Sequence, residues 1–248
     1  MAYSSDGASM IDPSAPDDCL APIRDAPGER SYVVAQLGQS LDGRIATPTG
    51  ESRYINGAAA LDHLHRLRAC VDAVVVGAGT IVADDPQLTV RRVPGRSPAR
   101  VVIDPSGRLD GSGRWLGRDG CRLFLVSEAG RAPHGADLIR LPARDGLIPP
   151  ADIIEALAAR GLRKLLIEGG ARTISNFLDA GCLDRLHILQ APVILGSGVA
   201  GINLAPIGSL KQAIRPRVAA RALQDGETLF DCEFIREGRE CKQEGMAS

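Results

Sequence analysis

Residues 164–173 read Lys-Leu-Leu-Ile-Glu-Gly-Gly-Ala-Arg-Thr. A strand is expected over Lys164–Ile167, whose apolar run Leu165–Ile167 suits burial on both faces, where no polar alternation is needed. Glu168 ends it. Gly169 and Gly170 allow a sharp turn, and a helical pattern follows over Arg172–Ala180. A buried strand that passes directly into a helix is the repeating unit of a parallel sheet.

The same succession recurs outward. On the N-terminal side the pattern predicts strands at Tyr32–Leu37, Ala73–Val76, Arg100–Ile103 and Arg122–Val126, with a weaker one at Ala136–Leu141. Helices are expected at Ala58–Val71 and Asp152–Arg160. On the C-terminal side come a strand at Arg185–Gln190 and then Arg217–Ile235, two strands joined by the turn Gln224-Asp225-Gly226. The expected architecture is α/β, a mostly parallel central sheet flanked by helices with an antiparallel C-terminal edge. Ligands bind beyond the carboxyl ends of such strands, so the polar residues just after them carry the functional reading.

Composition narrows the class. A chain of 248 residues, 44% hydrophobic, is sized for one domain with a substantial core. A net charge of −1 and 3% aromatics argue against a nucleic-acid partner, whether gripped by its backbone or stacked. No apolar run approaches the roughly 20 residues of a membrane span, and the N-terminus lacks the pattern of a secretory signal. A soluble cytoplasmic protein is expected. Cysteines 19, 70, 121, 182, 232 and 241 are widely spaced and read as thiols, not as metal ligands or a disulfide framework. Residues 1–29, with four prolines and six acids, read as a mobile leader, 30–236 as the folded domain and 237–248 as a flexible tail.

Three glycine-bearing turns follow strands. Gly77-Ala78-Gly79-Thr80 imitates the dinucleotide fingerprint, with Asp104 posing as its ribose-binding acid. Pro86, Pro94, Gly95 and Pro98 break any crossover helix between them. A short helical turn after Gly79 still offers N–H groups to a phosphate. Gly169-Gly170 opens a helix whose N-terminus suits a pyrophosphate. Glu168 stands where a carboxylate is either a surface acid or a partner for an amino-heterocycle. Ile194–Gly201 either covers a cofactor or is a plain loop. Arg68 falls between Leu61 and Leu64 on the core face of its helix, where a guanidinium must find an anion or acceptors. Arg91 is its candidate partner in gripping a phosphate. His63, His65, His134 and His187 form no ligand cluster, and Ser40 has no positioned histidine. Asp42-Gly43 reads as a tight turn, with Asp42 also a candidate proton donor.

Several segments occur in a telling order: Gly38-Gln39-Ser40-Leu41-Asp42-Gly43-Arg44, Gly50-Glu51-Ser52-Arg53-Tyr54, Leu67-Arg68-Ala69, Ala83-Asp84-Asp85-Pro86-Gln87-Leu88-Thr89-Val90-Arg91 and Ile167-Glu168-Gly169-Gly170. Over residues 31–235 the chain resembles the reductase domain of bifunctional riboflavin-biosynthesis deaminase/reductases, which has a dihydrofolate-reductase-like fold. The resemblance implies NADPH-dependent reduction of a ribosylaminopyrimidinone 5′-phosphate, with hydride delivered to C1′ of the sugar. By position it implies that Ser52, Arg68, Leu88, Arg91 and Glu168 hold the substrate. Gly38, Tyr54, Thr80, Asp84, Gly169, Gly170, Ala171, Arg172 and Thr173 would hold NADPH. It also implies a homodimer. Two positions depart from the family: Gln36 stands where members usually carry lysine, and Tyr54 where many carry tryptophan. Beside this stand two other readings, reduction of a pterin or another small heterocycle and a non-catalytic NADPH-binding protein.

Overall fold

The computed structural model describes residues 18–53, 55–117 and 119–235. In chain order the elements are α1 (Ala21–Arg24), β1 (Tyr32–Gln39), β2 (Arg44–Ala46), α2 (Ala58–Cys70), β3 (Ala73–Gly77), α3 (Ala78–Asp84), β4 (Ala99–Ile103), β5 (Leu123–Ser127), β6 (Asp137–Arg140), α4 (Pro150–Ala158), β7 (Lys164–Ile167), α5 (Ala171–Asp179), β8 (Arg185–Gln190), β9 (Val199–Ala200), β10 (Arg217–Ala222) and β11 (Thr228–Glu233). The main sheet has the order β10-β11-β8-β1-β7-β3-β4-β5-β6. All neighbours from β8 to β6 run parallel, whereas β11 is antiparallel to β8 and β10 to β11. β2 and β9 pair separately.

Burial on both faces explains the unbroken apolar strands. Val33, Ala35, Val75, Val101 and Ile167 point to one side, onto Ile153 and Leu157 of α4 and Ile174 and Phe177 of α5. Their strand neighbours point the other way. Val34 and Leu166 meet Ile23 and Leu67, while Val74, Val76 and Val102 meet Ile81, Leu88 and Trp115. Each buried Val, Leu, Ile or Phe among them contributes about 1.5–3 kcal/mol by leaving water, so the strands are fixed in register by both layers.

Two expectations change. The leader expected through residue 29 contains α1, whose Ile23 is buried with Leu20 against Tyr32 and Leu67. Two apolar residues among prolines and acids are too short a pattern to show periodicity. The all-thiol reading fails at Cys182, which is disulfide-bonded, while Cys19, Cys70, Cys121 and Cys232 are free. The expected tail, 237–248, lies outside the described residues. No helix among the described residues is long and apolar enough to cross a membrane.

Candidate active site

A cavity of about 620 Å³ opens beyond the carboxyl ends of β1, β7, β3 and β4. That volume is within the range that holds a cofactor-sized ligand. Its floor is made by backbone. Gly169 has φ +103, and a Cβ there would lie 2.4 Å from Thr80 Oγ1. Thr80 Oγ1 in turn accepts the Gly170 N–H at 2.9 Å. Only glycine lets the β7–α5 turn press this closely onto α3. Similarly, a Cβ on Gly77 would meet Thr173 Oγ1 at 2.5 Å, and one on Gly38 would meet Asn56 Oδ1 at 2.1 Å. The start of α5 has no side-chain cap, and with the exposed Arg172 it gives this floor N–H donors and positive charge suited to an anion.

Glu168 is buried at the inner end and lines the cavity. Arg68 reaches it from α2 across the sheet end. Its Nε donates to Oε1 at 2.8 Å and its Nη2 to Oε2 at 2.7 Å, while Nη1 donates to the Thr89 carbonyl at 2.9 Å. Burial pulls the Arg68 pKa down, but the Glu168 charge and hydrogen bonds outweigh it and leave the guanidinium above its usual value. The pair is bidentate and fixed in orientation. Each Glu168 oxygen keeps a second lone pair for a donor in the cavity.

The loop after α3 is strained into place. Leu88 is buried, lines the cavity and has φ +56, an outlier for a branched side chain of this bulk. Such strain persists only where the surroundings impose it. Here Arg100, buried in the core, donates from Nε to the Gln87 carbonyl at 3.1 Å, and Arg68 grips Thr89. Arg91 follows at the loop's end. Around it, Arg92 is paired with Asp62, Arg114 with Asp85 and Arg68 with Glu168, but Arg91 forms no ion pair among the described residues. Partial burial and then the nearby Arg68, Arg114 and Arg92 lower its pKa. His65 Nδ1 accepts the Arg91 N–H at 3.1 Å, and burial and then the surrounding arginines hold its own pKa down to about 4. His65 is therefore a neutral acceptor, and Arg91 is an uncompensated cation.

The RibD C-terminal domain family matches residues 31–221. The chain belongs to that family. Riboflavin biosynthesis protein RibD of Aquifex aeolicus is 31% identical over 194 residues, which are 76% of this chain and 54% of that protein. The chain thus spans about half the length of that relative. The 2,5-diamino-6-ribosylamino-4(3H)-pyrimidinone 5′-phosphate reductase of Methanothermobacter thermautotrophicus is 36% identical over 174 residues, 67% of this chain and 80% of that protein. Among solved structures, the diaminohydroxyphosphoribosylaminopyrimidine deaminase/5-amino-6-(5-phosphoribosylamino)uracil reductase of Thermotoga maritima superposes with a TM-score of 0.71 at 28% identity. That match covers 84% of this chain and 57% of the other.

In this RibD-type domain, Gly38, Ser52, Thr80, Asp84, Leu88, Glu168, Gly169, Gly170, Arg172 and Thr173 all line the cavity, as does Gln36. Ala171, the first residue of α5, does not line it, and neither do Arg68 and Arg91. Tyr54 lies outside the described residues. Two roles need correction. Arg68 and Arg91 do not form a free two-arginine clamp, because the Arg68 fork is spent on Glu168 and Thr89. Asp42 does not line the cavity. Its carboxylate accepts the Ser40 hydroxyl at 2.6 Å and the Leu195 and Gly196 N–H groups at 3.0 and 2.7 Å, and these bonds lower its pKa to about 2. It is a loop clasp that is ionised at neutral pH, not a proton donor. Asp104, the candidate ribose acid, is likewise turned inward, accepting the Leu109 N–H at 3.0 Å. Sequence reading missed Arg100 and Arg108. Arg100 is a lone charge at the head of an apolar strand, which is its visible signal.

Proposed function

We propose that this chain is an NADPH-dependent reductase of a ribosylaminopyrimidinone 5′-phosphate. One observation carries the reading: a single cavity joins a buried, oriented carboxylate to Arg108, Arg172 and a glycine-lined floor, with Arg91 outside its lining on the loop that follows Leu88. These residues fit both ligands. The floor of Gly169, Gly170 and Thr80 with Arg172 suits the pyrophosphate of a dinucleotide. Glu168 suits the amino groups of a diaminopyrimidine, because a carboxylate accepts from two donors at once. Arg91 suits the substrate's phosphate.

When bound, the reduced nicotinamide supplies the hydride for C1′ of the sugar. The chain's own work is alignment. Arg68 holds Glu168 so that the heterocycle has one orientation, and Leu88 packs against it from a backbone that cannot relax. Arg91 uses binding energy at the remote phosphate to fix the reacting carbon. The name of the Methanothermobacter relative supports this substrate class. We further infer a cytoplasmic homodimer. Its support is the edge strand β10, where Val218 is exposed, with Leu210 and Ile214 exposed on the segment before it. An unpaired apolar edge favours association.

The test is NADPH oxidation by the purified chain with the diaminopyrimidinone phosphate beside dihydrofolate. Turnover of the first alone is expected. Turnover of dihydrofolate alone, or of neither, contradicts the proposal.

A further inference from the structure

The loop from Asp85 to Arg91 brings Pro86 and Leu88 to the cavity wall. Two of the four non-glycine residues with positive φ among the described residues lie in it, Asp85 at +40 and Leu88 at +56. Aspartate tolerates the left-handed region, whereas a side chain as bulky as leucine resists it. Backbone pairing does not hold the loop in this shape. The Asp85 N–H still closes α3 on the Ile81 carbonyl at 3.0 Å, but the bonds beyond it go to side chains. The Gln87 carbonyl accepts from Arg100 and the Thr89 carbonyl from Arg68, while the Val90 N–H donates to Ser97 and the Arg91 N–H to His65. The shape of the loop is therefore imposed from outside it.

Most of that support comes from β4 and the segment between β4 and β5. Arg114 donates its N–H to Asp85 Oδ1 at 2.6 Å and its Nε to Oδ2 at 3.2 Å, and its Nη2 donates to the Asp84 carbonyl at 3.3 Å. Gly113 has φ +120, and a Cβ there would stand 2.7 Å from Asp85 Oδ1, so glycine lets the two segments meet. Trp115 is fully buried in one cluster with Leu88 and Ile81. Asp119 pairs with Nη2 of Arg100, whose Nε holds the Gln87 carbonyl at 3.1 Å. Arg100 Nη1 is buried without a hydrogen-bond partner among the described residues. A position that needed only packing would be served by an apolar side chain, which leaves no such donor. The guanidinium supplies reach to Gln87. We propose that Asp85, Arg100, Arg114 and Asp119 are positioning residues that hold Leu88 against the substrate's heterocycle and Arg91 toward its phosphate. The inference rests on the substrate reading above. None of the four lines the cavity, so they act through the loop and not by contact. The glycine floor belongs to the β7–α5 turn, so the cofactor's seat does not depend on them.

The experiment joins two measurements on the full chain. Hydrogen exchange of the ligand-free protein is read by mass spectrometry over residues 84–91, and steady-state kinetics are run with NADPH and the pyrimidinone phosphate varied in turn. The Asp85 side chain is 44% exposed, so its replacement leaves the core intact. Asp85→Asn keeps an acceptor for the Arg114 N–H and tolerates the left-handed region, whereas Asp85→Ala does neither. Asp85→Ala should speed exchange over 84–91 but not over the β7–α5 turn. It should lower kcat/KM for the pyrimidine by about tenfold to a hundredfold and change KM for NADPH by less than about twofold. Asp85→Asn should recover most of the loss. Asp119→Ala should give the same pattern at smaller size, since Arg100 keeps its bond to Gln87. Unchanged exchange over 84–91 in Asp85→Ala would overturn the inference. So would equal losses for NADPH and the pyrimidine, since the residues would then serve the fold at large. If the wild type turns over no pyrimidinone phosphate, the substrate reading falls, and the exchange result alone decides whether these residues hold the loop.

Discussion

The two ends of the cavity treat charge in opposite ways. At the inner end Glu168 and Arg68 are buried and neutralise each other through two hydrogen bonds. At the mouth Arg108 and Arg172 line the cavity, Arg91 stands outside the lining on the loop after Leu88, and none of the three forms an ion pair among the described residues. The inner carboxylate is oriented before any ligand arrives, which is what preorganisation requires. In the function proposed above, these outer arginines meet phosphates, which bring their own charge. The difference teaches that the value of a charged residue here depends on whether its partner belongs to the protein or to the ligand. An arginine of the first kind supports the fold, and one of the second kind supports affinity.

The largest effect should come from breaking the inner pair. Arg68→Ala leaves Glu168 buried without its cation, and the cost should be about 3–5 kcal/mol in urea unfolding. Arg91→Ala should leave the unfolding midpoint nearly unchanged. Comparable losses in the two variants would erase the distinction between the ends. The next effect lies on the floor between them. Gly169→Ala adds a Cβ against Thr80 and penalises a φ of +103, so a loss of about 1–3 kcal/mol is expected, with weaker NADPH binding. Alanine tolerated there without change would mean that α3 and α5 are not held together as described.

A third effect is pH dependence carried by the interior. His63 Nε2 lies 2.8 Å from His187 Nδ1, and burial and then the neighbouring His187 push the His63 pKa from 6.5 down to about 3. The unfolded chain takes up a proton below the ordinary imidazole pKa that the folded chain refuses. Stability should therefore fall as pH drops from about 6.5 toward 3, by at most about 1.4 kcal/mol per pH unit from this group. His63→Gln should flatten that slope in unfolding measured across the range. An unchanged slope would assign it to other groups. The smallest effect is expected at Asp42. Because its carboxylate clasps the 195–196 loop outside the cavity, Asp42→Asn should leave the pH profile of kcat between about 5 and 9 unchanged. A lost limb in that profile would restore it as an acid.

Much of this molecule is legible in its sequence where the signal is local. β7 and β8 are readable to the residue, β7 as an apolar run that ends at a turn and β8 as Leu186, Ile188 and Leu189 set between polar flanks. The β10–β11 hairpin follows from Gln224-Asp225-Gly226, whose Asp225 takes the left-handed φ of +67. α1 is illegible because two apolar residues carry no period, and β2–β9 because strands of three and two residues carry none either. At the site, helical geometry places Arg68 on the core side, yet its partner stands 100 residues away and leaves no local trace. Arg108 is hidden for the same reason. It reads as one more charge in a glycine-containing turn until the turns after β3 and β4 are seen side by side.

The most direct test of the two-ended cavity is the substrate's phosphate itself. KM should be measured for the pyrimidinone ribosyl 5′-phosphate and for its dephosphorylated nucleoside in wild type, Arg91→Ala and Arg68→Lys. The account predicts that Arg91→Ala raises KM for the phosphate ester by about tenfold to a hundredfold and leaves the nucleoside unchanged, so that the preference for phosphate disappears. Arg68→Lys should impair both substrates alike and keep the preference. If Arg68→Lys abolishes the preference and Arg91→Ala retains it, the ligand's phosphate sits at the inner end and the account is contradicted.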